Sequence, residues 1–270
     1  MKKQFLAILI LLAISTTGCT SGQEVDEKQE LPIKGMEGIN IISDSISIRI
    51  VPSKKEKITA HLTGTVLGNS AKLETTSTSS SLNIIAKRVK RFYVLDDDSA
   101  FRLEISIPEK KYKEIKVHSG GDLEIDQKFQ AEKLELLASG DITVNNFQGK
   151  ELVVEGYGDN HNLSNINGNI IIKKTKGFVD IDNWSPVKGT SKINVSFGFV
   201  SIMTNKKLKS LDLDLKATEK VETTFPLDAS QVVHGEKYLK GYVGKKTTDM
   251  PRLEMDVAGG IRLLKYPDSN

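Results

Sequence analysis

The chain has 270 residues but only one cysteine, one tryptophan, four histidines and seven prolines. A lone cysteine, Cys19, allows no internal disulfide, so the fold must rest on its apolar core. The histidines, His61, His118, His161 and His234, stand far apart, and no two share a metal-ligand spacing. There is no Gly-x-Ser-x-Gly turn, and no glycine loop opening a helix to cradle phosphate. No metal, cofactor or catalytic residue is expected. Helical periodicity is missing from the chain after residue 38. The apolar run Phe5–Ile14 has ten residues, whereas a membrane-spanning helix needs about 20.

Lys2 and Lys3 precede that apolar run, and Ser15-Thr16-Thr17-Gly18 separates it from Cys19. The order basic, apolar, small is that of an export signal, which is removed from the mature chain. Thr16-Thr17-Gly18-Cys19 resembles a bacterial lipobox, with Thr16 where an aliphatic residue is more usual. The resemblance implies cleavage after Gly18 and a diacylglycerol thioether on Cys19. Two acyl chains hold a protein stably at a bilayer where one does not. The competing reading is an ordinary secretory signal with an incidental cysteine. The position of the only cysteine at the cleavage point argues against it. The expected location is the extracytoplasmic face of the cell membrane, lipid-anchored. The expected organisation is a signal at 1–18, then a lipidated cysteine and flexible tether at 19–31. A β region follows at 32–110, as a cap or irregular coils, then β repeats at 111–265 and a tail at 266–270. The tether reading rests on the polar run TSGQEVDEKQEL.

Without residues 1–18, Lys+Arg falls to 36 against 35 acidic residues, a net charge of about +1. That balance implies no nucleic-acid partner. The only dense basic run, Lys87-Arg88-Val89-Lys90-Arg91, is read as a solvated strand end rather than a patch for anionic lipid or wall polymer.

What is abundant is alternation. Ile39, Ile41, then Ile46, Ile48, Ile50, and Leu103, Ile105, Ile107 alternate with polar residues, the signature of half-buried strands. The alternation also repeats. Gly121, Gly140, Gly158, Gly177 and Gly198 are spaced by 19, 18, 19 and 21 residues. Ile115, Val117 and Leu123, Ile125 flank the first; Leu134, Leu136 and Ile142, Val144 flank the second. Gly259 restores the pattern with Leu253, Met255, Ile261 and Leu263, two periods after Glu219. The third repeat, Gly158-Asp159-Asn160-His161-Asn162, is polar where the others are apolar. A period near 20 residues means stacked units that bury one another's apolar faces. The expected fold is all-β: a repeat-built β-solenoid, right-handed and β-helix-like, with an extended β-sandwich as the alternative. The segment 225–250 is expected to be a loop plus a strand that keeps the phase.

Ser119-Gly120-Gly121-Asp122-Leu123-Glu124-Ile125 and Ala138-Ser139-Gly140-Asp141-Ile142-Thr143-Val144 resemble the repeats of the "putative adhesin" family of bacterial envelope proteins, including LiaG-like members. The resemblance covers about 100–265 well and 32–100 loosely. It implies a solenoid-like fold, a cell-surface location and, in some members, a place in envelope-stress circuits. It attaches no catalytic residues.

Asp122, Asp141 and Asp159 each follow a marker glycine. A carboxylate ladder for Ca²⁺ is the sharp reading; carboxylates accepting turn amides is the favoured one. Asp96-Asp97-Asp98 is read as a solvated turn. Tyr157, Phe178, Trp184, Phe197 and Phe199 cluster in the middle repeats, either as core or as an exposed surface for sugar rings. Of these, Tyr157 and Trp184 join the three aspartates as candidate ligand contacts. The expectation is a non-catalytic binding or scaffold module whose partner is an envelope protein or wall glycan. An envelope-stress modulator is one alternative. A carbohydrate-active enzyme using Asp159 and His161 is the other.

Overall fold

The computed structural model describes residues 23–66, 69–90, 101–174, 176–227, 233–235 and 237–266. The signal peptide, Cys19 and Asp96–Asp98 lie outside the described residues, as does most of the tail. Among the described residues there are eighteen strands and no helix.

The repeat unit is legible in three long strands, β9 (Leu123–Ala138), β10 (Ile142–Gly156) and β11 (Asn160–Lys174). Each strand is one arm, a bend and a second arm, and a tight glycine turn leads to the next strand. Neighbouring coils pair in parallel: Leu123 with Ile142, Ile142 with His161, and His161 with Val179. The pairing continues through β12 (Gly177–Trp184) to β13 (Thr190–Thr204), where Val179 meets Val200. Alternation then sorts the side chains. In β10, Ile142, Val144, Phe147, Leu152 and Val154 point inward and are buried. Each such side chain contributes about 1.5–3 kcal/mol on burial, but only with a coil above and below to cover it. This is the repeat-built all-β architecture expected from the spacing.

The coils do not stack in chain order at either end. The first coil is β2 (Gly38–Ser43) with β3 (Ser47–Ser53). It is inserted between β6 (Ser81–Lys90) with β7 (Arg102–Pro108) on one side and β8 (Lys111–Ser119) with β9 on the other. The last coil is inserted in the same way. It is β18 (Arg252–Lys265), which pairs with β13 and also with β14 (Ser210–Ala217) and β15 (Val221–Thr223). Ile261 pairs with Val221, so the phase expected across 225–250 is kept, by insertion rather than succession. Antiparallel strands close the ends: β4 (Lys57–Val66) on β7, β5 (Asn69–Ser77) on β6, and β17 (Tyr238–Gly244) between β14 and β16 (Val233–Gly235). Such caps keep the terminal coils from offering a bare ladder to another chain.

The polar segment expected to be a flexible tether is mostly strand. β1 (Gln23–Pro32) pairs antiparallel with the whole of β4. Its polar residues look like a linker in sequence because their partners are also polar. Glu27 accepts the Leu73 amide at 2.6 Å, and Gln29 donates to the Leu73 carbonyl at 3.1 Å. Asp26 meets His61 at 2.6 Å, and Glu30 meets Lys57 at 2.9 Å. Val25 supplies the apolar inward contact.

The turns allow the coils to stack closely. Gly177 has φ +93°, and a Cβ on Gly198 would collide with the Gly177 carbonyl one coil away. A Cβ on Gly259 would likewise strike the Gly198 carbonyl. By contrast, a Cβ on Gly38 would meet its nearest atoms at 3.7 and 3.9 Å, an ordinary contact. Gly198→Ala is therefore expected to cost about 1–3 kcal/mol or more through forced separation of two coils, and Gly38→Ala under about 1. Denaturant unfolding of the two variants checks this.

Candidate functional site

The glycine turns line up along one edge of the stack, and the residue after each turn forms a row across the sheet. The row runs Ser47, Asp122, Asp141, Asn160, Phe178, Phe199, Gly260. Its two halves differ in chemistry. In the first half, carboxylates bind backbone. Asp122 Oδ1 accepts the Asp141 amide at 2.9 Å. Asp141 accepts the Asn160 amide at 2.8 Å and its side-chain NH₂ at 3.1 Å. Burial works against the Asp141 carboxylate, yet the Asn160 hydrogen bonds hold its pKa below the ordinary value. The Asp159 backbone also hydrogen-bonds the Asp141 carboxylate, but its own carboxylate is exposed and pairs with Lys176 at 3.2 Å. The structure thus gives the three aspartates separate partners. Among the described residues, no group of three or more His, Cys, Asp or Glu is placed to hold a metal ion.

In the second half, aromatics come to the surface. Phe178 and Phe199 are direct neighbours on adjacent coils. Phe178 is 59% exposed, Phe197 74% and Tyr157 54%. Gly260 leaves room for the Phe199 ring, and the Arg262 guanidinium lies over it at 5.5 Å. Large apolar side chains in three successive coils thus crowd one edge. Trp184 does not belong to it. Its ring is buried and its indole N–H donates to the Gly168 carbonyl at 3.0 Å, so it is core filling near the bend. Of the two aromatic candidates, only Tyr157 reaches the edge.

The aberrant third repeat holds a buried polar pair. His161 occupies the inward position filled by Ile142 and Val179 in the coils on either side. Lys174 occupies that of Gly156 and Val195. Both are buried, His161 completely. Lys174 Nζ donates to the Gly158 carbonyl at 2.6 Å and lies 3.1 Å from His161 Nδ1. His161 Nδ1 is also 2.8 Å from the Asn160 carbonyl, and Nε2 has no partner. Gly156 makes room for the ring, since a Cβ there would overlap it. His161, paired with Asp159 in the carbohydrate-active alternative, therefore points inward while Asp159 points out. The two do not converge into an acid–base pair. Lys174 was missed, although the alternation Ile170, Ile172, Lys174 puts it inside. A second feature was also missed. Asn183 donates to Asn165 at 2.6 Å, and Asn205 donates to Asn183 at 2.5 Å, near the bends. Asn165 and Asn183 have φ of 54° and 55°. The recurrence of asparagine at nearly the repeat spacing was the available signal.

The opposite edge carries a groove of about 610 Å³ lined by Glu37, Ser81, Lys113, Glu114, Glu132 and Lys150, among others. Its charges serve one another, with Lys150 on Glu132 at 2.7 Å and Lys133 on Glu135 at 2.8 Å. In the basic run, Lys87 pairs with Glu74 at 2.9 Å and Arg88 lies over Phe101, while Arg91 lies outside the described residues.

The buried pair makes stability depend on pH. Burial, reinforced by Lys174, pulls the His161 pKa down to about 4 from 6.5, against the Asn160 carbonyl and Asp141. Burial pulls Lys174 to about 8 from 10.5, with Asp141 and Asp159 opposing. In both cases the unfolded chain takes up the proton first. Stability is therefore expected to fall by about 2–3 kcal/mol as pH drops from 6.5 to 4, and to rise as pH climbs from 8 toward 10.5. His161→Leu is expected to flatten the acid window, measured by denaturant unfolding across pH. An unchanged slope would contradict the assignment.

No curated protein matches the chain. Among solved structures it is similar to a "putative cell adhesion protein" from Clostridium sporogenes at 11% identity, covering 90% of this chain and 99% of that one, with a TM-score of 0.42. It is similar to a "putative adhesin" from Bacteroides fragilis at 12% identity, covering 89% and 97%, with a TM-score of 0.43. A "putative lipid binding protein" from Parabacteroides distasonis is 13% identical, with 91% and 98% coverage and a TM-score of 0.33. Residues 36–217, about two thirds of the chain, match the profile described as Toastrack DUF4097, and the protein belongs to that family.

Proposed function

We propose that the protein is a lipid-anchored cell-envelope module that binds rather than catalyses, and that its glycine-turn edge is the binding surface. The observation that carries this reading is the exposure of Tyr157, Phe178 and Phe197 on three successive coils. Among the described residues the other large apolar side chain left exposed is Val89, at 42%, and ion pairs lie over the outer face. Arg252 alone reaches Asp212, Asp214 and Glu254 at 3.0, 3.1 and 2.8 Å. Apolar surface left open against that background marks an interaction site. The lipobox-like Thr16-Thr17-Gly18-Cys19 supports the anchor. A non-catalytic role is supported by the separation of Asp159 from His161. The partner is an envelope component.

The test uses the full-length protein in its native envelope. Cys19→Ala is expected to move it from the membrane fraction to the released fraction. The Tyr157→Ala, Phe178→Ala, Phe197→Ala triple variant is expected to stay folded and membrane-bound. It should lose binding to the envelope component by about tenfold or more, the loss typical of exposed aromatic anchors. Wild-type binding by the triple variant to every envelope fraction would refute the edge as the binding surface.

A further inference from the structure

The row after the glycine turns can be followed beyond the coils into the amino-terminal cap. Ser47 pairs with Arg102, Arg102 with Thr63, and Thr63 with Asp26. Asp26 and Phe178 thus lie in one row, seven strand spacings or about 34 Å apart. The direction of β1 follows as well. It is antiparallel to β4, and β4 is antiparallel to β7, so β1 runs away from the glycine-turn edge, as the arms after the turns do. Gln23 stands three residues before Asp26 and projects past that edge by about 10 Å. Cys19 precedes Gln23 by four residues, at most about 14 Å of extended chain. The chain therefore enters the fold from the edge that carries the exposed aromatics.

We infer that the glycine-turn edge faces the membrane and that Tyr157, Phe178 and Phe197 enter the headgroup interface of the lipid bilayer. The inference rests on the lipidation of Cys19 proposed above. The acyl chains fix one end of the edge, and the aromatics meet the same surface about 34 Å away. Their setting suits a lipid surface better than a folded partner or a glycan. They stand at or beside the glycine turns, and none of them lines the grooves at Glu37, Pro32, Leu208 and Gln148. Recognition of a sugar or a small ligand calls for concave walls and placed polar groups. A fluid interface needs neither and favours amphipathic rings with cations close by. Two cations lie on the same edge: Arg262 over the ring of Phe199, the ladder partner of Phe178, and Lys176, two residues before Phe178, on Asp159. The anchor also keeps the edge near the bilayer, so a weak second contact is enough to orient the domain.

The test places tryptophan at two edges of the lipidated, full-length mature protein in vesicles containing brominated phospholipid. Phe197→Trp reports the glycine-turn edge, and Lys150→Trp reports the opposite, bend edge, where the side chain is 74% exposed. Trp184 is buried in both variants, so its emission reports the fold and is subtracted using the wild type. Bromolipid is expected to quench the added tryptophan at 197 several-fold more than the one at 150. Equal quenching at both sites, or none at 197, would overturn the inference when mass spectrometry shows diacylglycerol on Cys19. Unmodified Cys19 would instead overturn the anchor reading and this inference with it. A tryptophan at 197 that ignores bromolipid but responds to purified wall glycan or to a co-purified envelope protein would reassign the edge to that partner.

Discussion

The fold depends on parallel coils approaching closely at their turns. Each coil must bring its turn backbone against the carbonyl of the previous turn, as Gly259, Gly198 and Gly177 do. Only then do the two arms reach their ladder partners, and only then do the inward side chains of one coil cover those of the next. The repeat of about 19 residues is the chain length that one turn, two arms and one bend require. The Asn165–Asn183–Asn205 contacts perform the matching task near the bends, holding the backbone at φ values that most side chains resist.

This constraint separates the surfaces. Outward side chains on the arms face solvent in register, coil after coil, so opposite charges fall beside one another. Arg49 with Glu124 at 3.5 Å and Lys192 with Glu254 at 3.2 Å are examples. Such exposed pairs contribute little individually, about 0–1 kcal/mol, but they leave a face of balanced charge. The turns are under no such alternation. Beside the obligatory glycines, their residues can change while the pairing continues, as with Asp122 and Asp141 giving way to Phe178 and Phe199 along one row. The turn edge can therefore acquire a binding surface at little cost to the stack.

The part of the structure legible in the sequence was the part governed by local rules. Apolar pairs at fixed offsets around Gly121, Gly140 and Gly259 gave the arms, the turns and the phase, because burial on a parallel stack follows period two within a strand and the repeat length between strands. The order of the coils was not legible. Nothing around Ile39 or Met255 says that its coil slips between two others, since every coil presents a similar apolar ladder. β1 was hidden for a related reason, because its partners on β4 and β5 are polar and its own alternation is weak. At the turn edge the aspartates and aromatics could be named but not sorted into outside and inside. Trp184 and Phe178 look alike in sequence, and only the bend beside Gly168 places one in the core. The buried His161 and Lys174 show the same limit, since a polar residue at an inward position reads as surface until its partners are seen.

The central proposal is that the glycine-turn edge, and not the charged groove on the bend edge, is the working surface of the protein. It is tested most directly by replacing Phe197, and separately Lys150, with a photoreactive phenylalanine analogue in the full-length protein and irradiating intact cells. The account predicts efficient cross-links to an envelope component from position 197 and few from position 150. Cross-links confined to position 150, or equal at both, would contradict it.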